Sequence, residues 1–109
     1  MQGAAVVEDR VFHALGDRSR RAIFEALAEG EAAVKDLVAR FDISQPAVSQ
    51  HLAALHAAGL VERRREGRCV YYRVTPSGLR PLVDWIAHSR AFWTEHLERL
   101  ESLLRHMDE

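Results

Sequence analysis

Cys69 is the single cysteine of the chain, so no disulfide can close within it. Long apolar runs are missing as well. None approaches the ~18 residues a membrane-spanning helix needs, and the longest candidate is interrupted by His56 and Gly59. No leader is expected either, because the opening MQGAAVVEDR places Glu8 and Asp9 where a signal peptide keeps its apolar centre. Together these absences predict a cytoplasmic protein of a reducing compartment with no membrane role. Glycine and proline are sparse, six and three in 109 residues, and with 48% hydrophobic and 28% charged residues the composition excludes collagen, low complexity and disorder. Catalytic arrangements are also absent: there is no nucleophile–base–acid set, no P-loop and no glycine-rich dinucleotide loop, and the six histidines are scattered. A chain that buries about 65% of its unfolded surface has little room for an enzyme cleft. No enzymatic activity and no cofactor are expected.

What is present is charge sorted by segment. The net charge of −1 hides an uncharged stretch over 44–60 followed by Arg63, Arg64, Arg65, Arg68, Arg73 and Arg80 against only Glu62 and Glu66 within 61–80. Such a patch concentrates phosphate backbones even on a slightly acidic molecule. The alternative, which charge alone leaves open, is a strand edge blunted by arginine against aggregation.

Apolar spacing predicts a first helix over about 6–15 through Val7, Val11, Ala14 and Leu15, ending near Gly16. Asp17 is placed to cap a second, with Ala22, Ile23, Ala26 and Leu27 inward and Gly30 as its stop. Arg18, Arg20 and Arg21 crowd its first turn, where they oppose the helix dipole. They require carboxylate partners within the domain or a phosphate outside it. A third helix over about 33–40 carries Val34, Leu37 and Val38 inward and starts weakly at Ala33.

Ser44 is a good cap for a fourth helix, with Ile43 and Val48 spaced as a hydrophobic staple and Pro46 in the first turn, where its missing N–H costs nothing. Val48, Leu52 and Leu55 form its inward stripe and Gly59 ends it. The opposite face is unusual. Pro46, Gln50, Ala53 and Ala57 point outward, flanked by Gln45 and Ser49, and no outward position carries a charge. Small residues among amides suit a helix that must approach base edges and hydrogen-bond to them, and a Gln can pair bidentately with adenine N6 and N7. Between the third and fourth helices only Phe41-Asp42-Ile43 remains, a helix–turn–helix corner in which Asp42 is the plausible left-handed residue.

In VERRREGRCVYYRVT the period changes to two: Val70, Tyr72 and Val74 alternate with Cys69, Tyr71 and Arg73, and Glu66-Gly67 marks a tight turn, so 61–75 reads as a two-stranded hairpin. Thr75-Pro76 then reads as the cap and first residue of one long helix over about 76–106. Its apolar face holds Leu79, Leu82, Ile86, Trp93, Leu97, Leu100 and Leu104, widened by Trp85 and Phe92. That exceeds what a small monomer covers, which predicts a homodimer through Leu82, Trp85, Ile86, Phe92, Trp93, Leu97 and Leu100. The fold expected is mainly α with a small β-hairpin: one winged helix-turn-helix domain over 1–109, order α-α-α-α-β-β-α, with the helix-turn-helix over about 33–58 and the wing over about 61–75.

At this point ALGDRSRRAIFEAL and ISQPAVSQHLAALHAAGLVERRREGRCVYYRVTPSGL resemble the ArsR/SmtB family of bacterial transcriptional regulators, over roughly residues 8–105. The SQPAVSQHL core with the following GLV and GR…YY carries the likeness. The resemblance implies a homodimeric repressor on a palindromic double-stranded DNA operator, released by a signal. It implies that Gln45, Pro46, Ser49 and Gln50 enter the major groove and that Ser44 caps the helix and reaches a phosphate. It further implies that Arg65 and Arg68 at the wing lie along the backbone or in the minor groove, supplying affinity and salt dependence. His51 matches a common family position but sits on a flank and reads as structural.

The sensing chemistry departs from the family. Arsenic- and cadmium-type members carry a cysteine pair in a stretch like ELCVCDL, where this chain has AAVKDL. Zinc-type members place D-x-H and H-x-x-E/H on the last helix; here Asp84 matches the first ligand, but Ile86, Leu97 and Leu100 fill the other three positions. One carboxylate cannot build a tetrahedral zinc site. No metal site is therefore expected, and an inducer, if one exists, is a small molecule of unidentified chemistry. Two non-standard alternatives remain: a metal held by Asp84, His88 and His96, or a redox switch at Cys69 aided by nearby arginines. A third, from another class, is a protein-interaction module on the same fold.

Overall fold

The computed structural model describes residues 2–107, with side chains from Asp9 onward. Helix α1 (Gln2–Gly16) turns Val11 and Ala14 inward and leaves Phe12 outside; Val7, expected on the same stripe, lies outside the described side chains. Helix α2 (Arg18–Glu29) begins at Asp17, whose extended backbone lets its carboxylate accept the Arg20 N–H at 3.0 Å. Two of the three crowded arginines have internal partners, but these are not carboxylates. Arg20 Nε donates to the Ala14 carbonyl at 2.9 Å and Nη2 to that of His13 at 3.3 Å, while Arg21 Nη1 donates to the carbonyls of Leu15 (2.9 Å) and Gly16 (3.3 Å). The last carbonyls of α1 have no intrahelical partner and carry its negative dipole end. Two guanidiniums there offset their unfavourable place at the start of α2.

Ala32–Ala33 form a two-residue strand, β1, before α3 (Val34–Phe41). Ala33 gives α3 no side-chain cap, and the strand pairing holds the chain there instead. Asp42 adopts the left-handed conformation expected of the corner (φ 51°, ψ 45°), with its N–H on the Val38 carbonyl. Helix α4 (Gln45–Ala57) is capped by Ser44 Oγ, which accepts the Ala47 N–H at 3.2 Å, and Ile43 packs against the core that holds Val48. It closes on Gly59 at φ +76°: the Gly59 N–H meets the His56 carbonyl and the Leu60 N–H that of Leu55, both at 3.0 Å, the paired bonds of a Schellman ending.

Strands β2 (Val61–Glu66) and β3 (Cys69–Val74) pair antiparallel from Val61 opposite Val74 to Glu66 opposite Cys69. Gly67-Arg68 is the two-residue loop, with Gly67 at φ +60°. The expected two-stranded hairpin is in fact the outer part of a three-stranded sheet, β1-β3-β2, because Ala32 and Ala33 pair with Tyr72 and Tyr71. Val11, Ile23, Val48, Leu52, Leu55 and Leu60 are fully excluded from water, joining α1, α2, α4 and the start of the hairpin in one core. Each such side chain contributes about 1.5–3 kcal/mol relative to exposure.

The single terminal helix expected over 76–106 is three pieces: a 3-10 turn (Pro76–Leu79), α5 (Arg80–His88) and α6 (Arg90–Met107). Thr75 precedes the 3-10 turn without a side-chain cap bond. Pro81 is tolerated only in a first turn, so the α-helix starts afresh at Arg80. Ser89 (φ −96°, ψ 2°) departs from helical geometry and separates α5 from α6, although hydrogen bonds from Ser89 to Trp85 and from Trp93 to Ser89 bridge the joint. Gly78 is where the turn meets the α4–β2 corner. A Cβ there would stand 1.9 Å from the Gly59 carbonyl oxygen, and the neighbouring Thr75 N–H donates to the Leu60 carbonyl at 2.9 Å. Beyond Ser89 the chain leaves the core behind. The radius of gyration is 17.7 Å, against about 13 Å for a compact chain of this length.

Candidate nucleic-acid interface

Helix α4 owes its position to three buried side chains, Val48, Leu52 and Leu55, which fix its rotation about its own axis. With that rotation set, Gln45, Pro46, Ser49, Gln50 and Ala53 are all exposed, and so is Ser44 at the cap. Every position that the sequence assigns to base or phosphate contact on this helix therefore faces outward. His51 is half-buried, in keeping with a structural role.

Strand geometry sorts the arginines of the hairpin. Successive residues point to opposite faces. On one face Arg64 is held by Glu31 (Nε to Oε2, 3.3 Å) and Glu66 (2.9 Å) and lies 4.6 Å over the Tyr71 ring, and Arg73 pairs with Glu62 at 3.3 Å. The Arg64 hydrogen bond holds the Glu31 carboxyl below its ordinary value, and Glu31 and Glu66 raise the Arg64 guanidinium further. Arg64 thus braces the hairpin against the α2–α3 connection, and Arg73 ties its two strands together. On the other face, Arg63 and Arg68 line a groove of about 540 Å³ between α3, α4 and the sheet. Gln45, Ser49 and Ala53 of α4 line it as well, with Lys35 of α3. Among the described residues no carboxylate pairs with Lys35, Arg63 or Arg68 within 4.0 Å.

The structure thus brings Gln45, Ser49 and Arg68 together around one groove, while Pro46 and Gln50 are exposed beyond it. Arg65 is exposed near the loop, its Nε donating to the Gly67 carbonyl at 3.3 Å. Sequence reasoning passed over Lys35 and singled out Arg65 rather than Arg63. The signal available for Arg63 was its alternation with Arg64 along β2; for Lys35 there was none, since it depends on how α3 packs beside the sheet. The free Cys69 lines the same groove, half-buried. Asp84, His88 and His96 do not gather: His96 Nδ1 lies 2.8 Å from the Phe92 carbonyl and its ring stacks on Phe92. Among the described residues no three His, Cys, Asp or Glu side chains could hold a metal ion, and no helix is long and apolar enough to cross a membrane.

The second exposed feature is apolar. Phe12, Trp85, Trp93 and Phe92 form a chain of ring contacts with centroids 5.2–5.8 Å apart. From there Leu97, Leu100, Leu103, Leu104 and Met107 continue along α6, each more than half exposed. Of the residues expected at a dimer interface, Ile86, Phe92, Trp93, Leu97 and Leu100 stand on the surface. Trp85 is half-buried, and Leu82 packs against the protein's own core.

A helix-turn-helix with an uncharged outward face, flanked by a hairpin bearing unpaired arginines, defines a winged helix DNA-binding protein of the transcriptional-regulator class. The comparisons agree. The pattern of the bacterial regulatory protein arsR family matches residues 17–63, which span α2, α3, α4 and the start of β2. The HTH-type transcriptional regulator Rv2034 of Mycobacterium tuberculosis is 42% identical over 88% of this chain and 87% of its own length. The arsenical resistance operon repressor of Escherichia coli is 34% identical over 90% and 82%. An ArsR-like transcriptional regulator from Rhodococcus sp. RHA1 superimposes with a TM-score of 0.75 at 30% identity, covering 93% of this chain and 95% of that one. The chain belongs to the ArsR/SmtB family: it is a DNA-binding transcriptional regulator, and the family is not one of enzymes.

Proposed function

We propose that the protein is a repressor that occupies a palindromic double-stranded DNA operator as a homodimer, independently of the metal sites its family commonly uses. The observation that carries this reading is the outward face of α4, exposed and uncharged from Gln45 to Ala57, set beside the free arginines of the wing. Gln45, Pro46, Ser49 and Gln50 present amides and small surfaces to base edges. Ser44, Arg63, Arg65, Arg68 and Lys35 meet phosphates and fix the register without reading sequence. The homodimer rests on α6, because helices in proteins draw most of their stability from packing an apolar face and α6 leaves its own uncovered. A second copy applying the same face would cover the Phe12–Trp93 ring cluster and the leucines beyond it.

Fluorescence anisotropy on DNA from the protein's own promoter and on scrambled DNA, across a salt series with and without zinc, tests this reading. Binding at least ~10³-fold tighter to the promoter and unchanged by zinc is the expected result. Equal, weak binding to both DNAs would overturn it and favour a winged helix that serves a protein partner.

A further inference from the structure

The groove between α4 and the wing has a second chemistry that DNA does not use. A phosphodiester needs cations and hydrogen-bond donors, and Lys35, Arg63, Arg68, Gln45 and Ser49 supply them in the lining. The rest of the lining is different: Val34, Val38, Ala53, Val70 and Tyr72 contribute hydrocarbon and an aromatic ring. Apolar surface of this kind gives a phosphate nothing, and its volume of about 540 Å³ falls in the ~300–1,000 Å³ range of small-molecule sites. Apolar walls with a few convergent polar groups are the usual make-up of such a site.

We infer that this groove binds a small organic carboxylate with an aromatic or branched apolar body, and that its occupancy excludes DNA. The carboxylate takes the place of a phosphate against Arg63, Arg68 and Lys35, none of which is neutralised by a carboxylate among the described residues. The apolar body lies on Ala53 and Val70, between the recognition helix and the sheet. Because Gln45 and Ser49 wall the same groove, a molecule seated there stands between α4 and the strand of DNA that would run beside it. This gives the regulator an effector site that overlaps its DNA surface. The exclusion of DNA rests on the operator reading above; the binding itself does not.

The probe is 1-naphthoate, with the neutral 1-naphthamide and inorganic phosphate as controls, titrated into the full chain and followed by backbone amide NMR. Naphthoate is expected to shift Val34, Ala53, Cys69 and Val70 and to bind at least about tenfold more tightly than the amide, the factor that one partly desolvated charge contact supplies. Phosphate alone should leave the apolar lining residues unmoved. Arg68→Gln should weaken naphthoate about tenfold, and Ala53→Leu, on an exposed helical position that leucine suits, should abolish it by filling the groove from the α4 side. Shifts confined to Trp85, Phe92 and Trp93, equal binding of the amide, or no shift at all would overturn the site. In the anisotropy assay, saturating naphthoate should release promoter DNA; undiminished DNA binding by saturated protein would overturn the exclusion. A protein that never prefers its promoter, with or without naphthoate, would sink the operator reading while the NMR titration still decides the groove.

Discussion

Helices α4 and α6 are both built on leucines at helical spacing, yet they solve opposite problems. Helix α4 buries Val48, Leu52 and Leu55 completely and shows water only small residues, amides and two histidines. Helix α6 buries nothing of its own: every residue from Arg90 to Glu101 is exposed, Phe92, Trp93, Leu97 and Leu100 among them. The first helix is anchored and its free face is chemically spare; the second is unanchored and its free face is apolar. An apolar stripe in a sequence thus says that a face will be covered, and only the neighbouring packing says whether the same chain covers it.

Substitutions break this contrast in order of size. Leu52→Ala should cost about 2–5 kcal/mol, the penalty of a cavity in a closed core, read as a fall in the urea midpoint at every protein concentration. Leu97→Glu should leave the winged core folded and produce a monomer in sedimentation equilibrium, with DNA affinity falling because two half-sites are no longer joined. A dimer that survives Leu97→Glu would move the interface elsewhere. Gly78→Ala, at the joint between the two parts, should cost about 1–3 kcal/mol through forced backbone displacement, visible by thermal unfolding. Gln50→Ala should relax base preference at about one operator position for ~1–3 kcal/mol, while Arg68→Ala should weaken all DNA alike and reduce the salt slope by about 1. Equal losses on operator and random DNA from both would remove Gln50 from base readout.

The smallest effect sharpens the contrast by pH. Asp17 lies below its ordinary value of 3.8, chiefly because the Arg20 N–H bonds its carboxylate, and Glu31 lies below 4.5 because Arg64 does the same. Folding therefore favours their ionised forms. Their contribution is complete above these ordinary values and is lost as pH falls through the lower folded ones. Asp17→Asn and Glu31→Gln should each reduce the loss of stability on acidification below about pH 4, measured by urea unfolding at stepped pH.

Local signals were legible in the residues themselves. Asp42 at the corner, Ser44 as cap and Gly59 as the end of α4 each follow from conformations that few residues tolerate, and the structure places them as expected. What escaped depends on partners distant in sequence. Strand β1 is two alanines with no strand propensity, created by pairing with Tyr71 and Tyr72. Arg20 and Arg21 bond main-chain carbonyls, which every sequence contains and none advertises. The division of the wing arginines into braced and free required the register of β2 and the position of Glu31, and the break at Ser89 is a departure of one residue within an unbroken apolar pattern. For the proposed interface, α4 was legible because its face is defined by a single helix, whereas the groove is made by three elements meeting.

The meeting of Gly78 with Gly59 is a main-chain splice, with no side chain between the two segments. Side chains can change rotamer and absorb a displacement; two backbones held this closely, with the Thr75–Leu60 hydrogen bond beside them, cannot. The turn that leads into α5 is therefore seated on the C-terminal end of α4 with no side chain to cushion it. The joint works as a rivet between two main chains, and any side chain at position 78 would have to prise them apart.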